Sequence, residues 1–285
     1  MKLPVSVIIL TYNEEENIGI CLKSIADWAE EVVIVDSFST DRTITIAKQY
    51  NAVICQHEFK SQAQQFNWSL DNLNIKGQWV IRLDADERMT DGLWEEISHR
   101  LKTVKADTNG FILNRRLHFL GRWIKHGGCY PIRLLRMFRR GTARSEDKIM
   151  DEHLVLLEGK AEKLVNDFIH ENRKSIYWWT GKHNDYSSRE AEEIAGTAGK
   201  LEMRPDLFGG QAASKRWVKK NLYVKSPLFG RALGYFVYRY FIRLGFLDGR
   251  PGLIFHFLQA LWYRFLVDAK IYERNTAGNK PGQLS

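Results

Sequence analysis

The sequence predicts an α/β protein built on a mainly parallel sheet, and three observations carry that prediction. Apolar, β-branched runs alternate with amphipathic helical stretches at about 25-residue spacing, the pattern of parallel strands joined by right-handed crossovers. The runs Val5–Leu10, Val32–Val35 and Trp79–Leu83 are almost continuously apolar, as strands buried on both faces should be. Each then ends in polar residues: Thr11 and Asn13, Asp36 and Ser37, Asp84 and Asp86. Ligands of open α/β sheets bind outside the carboxyl ends of the strands, so these three clusters mark a candidate site.

Taken in order, the first strand runs into Thr11-Tyr-Asn-Glu-Glu-Glu16, where Asn13 is placed to cap a helix with Glu14 to Glu16 in its first turn. Ile18, Cys21, Leu22, Ile25 and Ala29 keep one face of that helix apolar. The second strand ends in Asp36-Ser-Phe-Ser-Thr-Asp-Arg42, and Ser39 or Asp41 can start the next helix. A third strand, Ala52–Cys55, leads to a Gln-rich helix around Ser61–Leu73. After the strand that ends in Asp84-Ala-Asp86 comes a helix over Asp91–Lys102, with Leu93, Trp94, Ile97 and Leu101 on one face. Gly110–Leu113 and Leu134–Phe138 read as strands flanking a basic, aromatic tract. A return hairpin is expected through Leu154–Leu157 and Ala161–Val165, turning near Glu158-Gly159. From Ser175 to about Lys200 the chain reads as a polar helix, and Pro205 to Gly210 as a break. The expected division is a catalytic domain at 1–174, a helical region at 175–274 and a polar tail at 275–285.

An Asp-x-Asp pair after a strand can be nothing more than a turn capping the next helix. Three successive polar strand ends on one sheet edge favour a site instead. Two acids one residue apart call for a cation, and a cation at a sheet's carboxyl end commonly serves a phosphate. Neither GxGxxG nor GxxxxGK[ST] occurs, so neither the dinucleotide fingerprint nor the P-loop accounts for these ends.

Charge is distributed unevenly. Residues 1–110 hold 11 Lys and Arg against 17 Asp and Glu, a net of −6; residues 111–285 hold 31 against 17, a net of +14. The back of the chain is therefore made to meet something anionic. No nucleic-acid-binding module is recognisable there, so no nucleic-acid partner is expected. Cys21, Cys55 and Cys129 show no CxxC or metal-ligand spacing and read as reduced, buried thiols of a cytoplasmic protein. No signal peptide and no apolar run of about 18 residues is evident. Phe255, Leu258, Leu261, Trp262 and Phe265, with Arg250, Arg264 and Lys270, would suit either packing or a helix lying on an anionic membrane.

Several segments together resemble the inverting family-2 glycosyltransferases of the GT-A fold, and most of all the bacterial branch that includes the lipopolysaccharide-core β-1,4-glucosyltransferases. They are Val7-Ile-Ile-Leu-Thr-Tyr-Asn-Glu-Glu15, Val33-Ile-Val-Asp-Ser-Phe-Ser-Thr-Asp-Arg-Thr43, Leu83-Asp-Ala-Asp-Glu-Arg88, Phe119-Leu-Gly-Arg-Trp-Ile-Lys-His-Gly-Gly128, Leu135-Arg-Met-Phe-Arg-Arg-Gly141 and Gly245-Phe-Leu-Asp-Gly-Arg-Pro-Gly252. Each is modest alone; their order and spacing carry the likeness.

The resemblance implies roles. Thr11, Asn13 and Glu14 would lie by the nucleotide of a nucleotide-sugar donor, with Asp36 on its base, usually uracil. Asp84 and Asp86 would be the DxD motif, with Asp86 nearest a Mg²⁺ or Mn²⁺ on the diphosphate and His170 a second ligand. Gly127-Gly128 would let backbone approach the donor sugar. The base would be Glu152 or, with a slip in register, Asp151, because this chain reads Asp151-Glu152-His153 where close relatives read His-Glu. A second departure is Gln65-Phe-Asn67, where relatives place Arg or Lys between Gln and Asn. His118, His126 and His153 receive no catalytic role. The expected acceptor is a lipopolysaccharide-core or other envelope glycan, reached from the inner face of the cytoplasmic membrane. Transfer to a polyprenyl phosphate, or a catalytically silent sugar-nucleotide or glycan-binding protein, are the alternatives.

Overall fold

A computed structural model describes residues 2–146, 153–196 and 226–278. These residues divide into two compact units, Met1–Trp123 with Tyr130–Lys174, and Ile124–Cys129 with Ser175–Ser285. The candidate bases Asp151 and Glu152, and the expected break at Pro205 to Gly210, lie outside the described residues.

The first unit is an α/β sandwich. Its strands are β1 (Leu3–Thr11), β2 (Ala29–Asp36), β3 (Val53–Gln56), β4 (Trp79–Asp84), β5 (Glu87–Met89), β6 (Thr108–Phe119), β7 (Arg122–Trp123), β8 (Ile132–Arg139), β9 (Ala143–Ser145), β10 (Leu154–Leu156) and β11 (Lys160–His170). The main sheet is ordered β3-β2-β1-β4-β8-β6-β11-β5. It is parallel from β3 to β4 and again between β6 and β11, while β8 runs antiparallel to both its neighbours. Period-two alternation sorts side chains to two cores. Val7, Ile9, Ile81 and Leu83 meet Trp94 and Ile97 on one face, and Ile8, Val33, Val35 and Val80 meet Phe66 on the other.

Helices α1 (Ile18–Lys23), α2 (Thr43–Lys48), α3 (Gln62–Asn72) and α4 (Asp91–Lys102) flank the sheet. The Ser61 hydroxyl accepts from the Gln64 amide at the start of α3, and Thr90 accepts from Leu93 at the start of α4. Helix α1 begins later than its sequence implies. Asn13 does not cap it but sits at φ 53°, a left-handed conformation that Asn tolerates better than most residues. The hairpin expected around Glu158-Gly159 is also absent as such. The chain turns there, with Gly159 at φ 74°, but β10 pairs with β9 in a separate two-stranded sheet while β11 joins the main one. Leu154 and Leu156 are drawn to the Phe66 and Phe138 side of the core, so the two strands part.

In the second unit, α5 (Ile176–Gly196), α6 (Gly230–Val237), α7 (Gly249–His256) and α8 (Tyr263–Gly278) are joined in part by π-helical turns at Tyr238–Ile242 and Phe257–Trp262 and a 3₁₀ turn at Gly245–Asp248. Ala191 of α5 packs on Tyr263, Val267 and Ile271 of α8. Arg231 is buried against Asp268, its Nη2 2.5 Å from Oδ1. Of the residues expected to suit a membrane surface, Phe255 is buried, Arg264 pairs with Glu190 and Lys270 donates to Asn184, Ser187 and Ser188, whereas Phe265 and Arg250 are exposed. No described helix is long and apolar enough to cross a membrane. Among the cysteines, none of which forms a disulfide, Cys21 and Cys129 are buried, whereas Cys55 is only partly covered.

Candidate functional site

Strand register builds the site. On β1, Thr11 lies opposite Asp36 of β2, and Leu10 lies opposite Asp84 of β4. Three carboxyl-terminal strand ends are thus level at the place where the strand order reverses between β2, β1 and β4, the geometry that opens a crevice in such sheets.

Side chains lace the first two ends together. Thr11 Oγ1 donates to Asp36 Oδ1 at 2.8 Å, and Ser39 donates to the same carboxylate from both its amide and its hydroxyl. The Asn13 amide donates to Ser39 Oγ and the Thr40 amide to Asn13 Oδ1, both at 2.8 Å. The Glu14 and Glu15 amides donate to Thr43 and Asp41. The left-handed turn at Asn13 is what aims these groups at the second loop. Asp36 is fully buried, so in this state its carboxylate holds the two loops in register. Glu14 is pushed up by burial, although Asn17 and Lys174 donate to it and oppose the shift.

The third end carries the acids. Glu87, almost fully buried, accepts from the Asp84 amide at 2.9 Å and from Arg136 Nη2 at 2.8 Å. Arg136 also reaches Asp84 Oδ2 at 3.1 Å. Desolvation would raise the Asp84 pKa, but Arg136, Arg82 and His170 hold it well below the usual carboxylate range. Arg136 is in turn kept charged, above its ordinary value, by Glu87 and Asp84 against the cost of burial. Asp84 is therefore already engaged by a guanidinium.

Asp86 is differently placed. Asn172 Nδ2 donates to its Oδ2 at 3.0 Å, and His170 Nδ1 stands 3.5 Å from its Oδ1. His170 reaches this position because the end of β11 pairs with β5, setting His170 opposite Glu87. Its Nδ1 is buried and makes no hydrogen bond among the described residues. Burial works against a charge on His170, yet Asp86 and Glu87 raise its pKa above the ordinary value. Among the described residues no three ligating side chains converge on one point. A carboxylate oxygen and an orphaned imidazole nitrogen facing each other do fit a divalent cation that draws its remaining ligands from water and phosphate.

Of the sequence-predicted residues, the structure thus brings Thr11, Asn13, Glu14 and Asp36 into one network and Asp84, Asp86 and His170 into another. Gly127 and Gly128 belong to the second unit, at φ 65° and 74°. Arg136, Glu87, Asn172 and Lys174 had no assigned role. Arg136 and Glu87 stand inside the quoted segments Leu135–Gly141 and Leu83–Arg88, the one local signal that pointed at them.

Residues 6–145 match the family model described as glycosyl transferase family 2. The lipopolysaccharide core biosynthesis glycosyltransferase LpsC of Rhizobium meliloti (strain 1021) is 28% identical, with 98% of this chain and 96% of that protein aligned. An uncharacterized glycosyltransferase of Rickettsia bellii (strain RML369-C) is 25% identical over 94% of this chain and 86% of its own length. Among solved structures, the mannosyltransferase PcManGT from Pyrobaculum calidifontis, in complex with GDP-Man and Mn²⁺, superposes with a TM-score of 0.52. That match covers 98% of this chain and 89% of the other at 15% identity, a likeness of fold.

Proposed function

The chain carries a glycosyltransferase family 2 domain with the GT-A fold, and we propose that it is a metal-dependent inverting enzyme moving a hexose from a UDP-sugar to a lipopolysaccharide-core or other envelope glycan. The observation that supports the metal-dependent reading is the buried His170 nitrogen, which makes no hydrogen bond among the described residues and faces Asp86 and Glu87 at 3.5 and 3.7 Å beside three level strand ends. Asp86 and His170 would hold Mg²⁺ or Mn²⁺; when bound, such an ion neutralises charge on a departing nucleoside diphosphate.

The chain's own residues supply the rest. Thr11, Asn13 and Glu14 would line the nucleotide, their loop pinned by Asp36. Arg136 bonds both Asp84 and Glu87 and offsets one of their two charges, so the cluster of acids at this strand end does not have to be balanced by the ion alone. Gly127 and Gly128 are assigned, on the family resemblance, to the donor sugar. Inversion is one in-line displacement: the acceptor oxygen bonds to the anomeric carbon as the bond to the diphosphate oxygen breaks. Glu152, or Asp151 if the register slips, would take the acceptor's proton. The identity with LpsC over nearly the whole of both chains supports an envelope-glycan acceptor, and with it a place at the inner face of the cytoplasmic membrane.

The test is calorimetric titration of Mn²⁺, then of UDP-sugars, into wild type and into Asp86→Asn and His170→Ala. Wild type should bind Mn²⁺ and a UDP-sugar cooperatively, and each variant should lose the cooperativity. Full binding by both variants would remove the pair from the site. Loss of sugar transfer in Glu152→Gln with donor binding retained would mark the base.

A further inference from the structure

The second unit is patterned inside out around its 3₁₀ turn. Val237, Phe241, Ile242, Leu244, Phe246 and Leu247 are all exposed, Ile242 by 68%. The same stretch of chain buries its polar side chains: Arg231, Asp248 at 2% and His256 at 0% exposed. Water-soluble surfaces scatter single apolar residues; a contiguous exposed patch marks a contact surface.

The turn is braced in this disposition. The His126 amide and Nδ1 lie 2.9 and 2.7 Å from the two oxygens of Asp248. Arg239 Nε donates to the Gly127 carbonyl at 2.8 Å, and the Gly127 amide donates to the Arg243 carbonyl at 2.8 Å. Gly127 and Gly245 both abut the His256 ring, where any β-carbon would collide. Rolling the turn over to hide its apolar side chains would break these bonds and expose Asp248, so the apolar face stays outward.

Charge identifies the partner. Between residues 226 and 257 the exposed charged side chains are Arg243 and Arg250, and the stretch's single acid, Asp248, is buried. Residues 175–285 hold 17 Lys and Arg against 9 Asp and Glu. A twofold contact between two copies would bring the same arginines of both onto one patch, which like charges disfavour. Apolar tips ringed by cations suit the headgroup boundary of an anionic bilayer.

We propose that residues 237–247, with Arg243 and Arg250, dip into the interfacial layer of an anionic membrane and anchor the chain there. This deepens the membrane part of the function proposed above, but its test reads no sugar transfer, so the two can fail separately. The full chain is floated with vesicles of phosphatidylcholine alone and of equal parts phosphatidylcholine and phosphatidylglycerol. Wild type should rise with the anionic vesicles. A triple variant Phe241→Ser, Ile242→Ser, Leu247→Ser should lose at least about tenfold in partitioning, with a melting temperature that falls only modestly, since Phe241 gives up its ring contacts with Phe236 and Tyr240. The pair Arg243→Glu, Arg250→Glu should lose the preference for phosphatidylglycerol and serves alone if the serine variant does not fold. Equal flotation of all three proteins, or no flotation of wild type, overturns the proposal. So does a wild-type dimer that the serine substitutions split, which would make a second copy the occupant.

Discussion

The two units hold their charged pairs in different places. In the first, apolar strands fill the interior and charges gather at the strand ends, where Arg136 bonds both Asp84 and Glu87 and Asp86 is held by Asn172 beside His170. In the second, Arg231 is buried against Asp268 and Asp248 is buried against His126, while an apolar cluster around Tyr263 and Val267 fills part of the interior and large side chains such as Phe241 and Ile242 face out. The proposed site predicts that removing a rim acid of the first unit costs activity rather than stability. A charge in the second unit's interior is part of the fold.

The sharpest way to break that comparison is to remove one charge from each. Asp86→Ala should lower nucleotide-sugar turnover on the order of 10³-fold while denaturant unfolding shifts by less than about 1 kcal/mol. If stability falls with activity, Asp86 is a structural acid and the contrast fails. Asp268→Ala should destabilise the second unit by about 3–5 kcal/mol, because the buried Arg231 charge loses its carboxylate. As a control, Asp71→Ala removes the exposed Arg144–Asp71 pair of the first unit and should cost below about 1 kcal/mol.

Acid should sharpen the same difference. Burial holds His256 and His183, both in the second unit, down at about 4, below their ordinary 6.5; Arg239 adds to the effect at His256. A folded-state pKa below the unfolded one gives stability that is present above pH 6.5 and lost as pH falls toward 4. In the first unit, burial alone would raise Asp41 and Glu96, but hydrogen bonds from Thr43 and Glu15, and from Asn166 and Val165, hold them low. Their contribution is kept through that window and lost only in the carboxylate range below it. Hydrogen exchange followed from pH 7 to 4 should therefore show the second unit opening first, by on the order of 2 kcal/mol, and His256→Phe should reduce the change. Simultaneous opening of both units would refute this. The smallest expected effect is local: Ser61→Ala removes the cap of α3 and should cost about 1 kcal/mol by thermal or urea melt.

Much of the first unit could be read from its residues. Helix α4 spans Asp91–Lys102 as its apolar spacing implied, because Thr90 and Asp91 start it and the basic residues His99, Arg100 and Lys102 close it, all within one local stretch. The levelled strand ends were legible for the same reason: each apolar run declares its own end. The parting of β10 from β11 was not, since a turn at Gly159 looks alike whether the flanking strands pair with each other or with strands elsewhere. Which aromatics of the second unit are covered was not legible, because aromatics at helical spacing look the same inside and outside a helical unit: Phe255 is buried, whereas Phe265 and Phe241 are exposed.

The sequence by itself determined the fold class and the placing of Asp84 and Asp86 at the end of a strand, since periodicity, caps and short motifs act between near neighbours in the chain. Only the tertiary structure decided which acid is paired with a guanidinium and which lies beside an imidazole. Arg136 meets Asp84 across 52 positions, Asn172 meets Asp86 across 86, and Lys174 meets Glu14 across 160. Coulombic and hydrogen-bond partners act through space over a few ångströms, and sequence separation carries no trace of that distance.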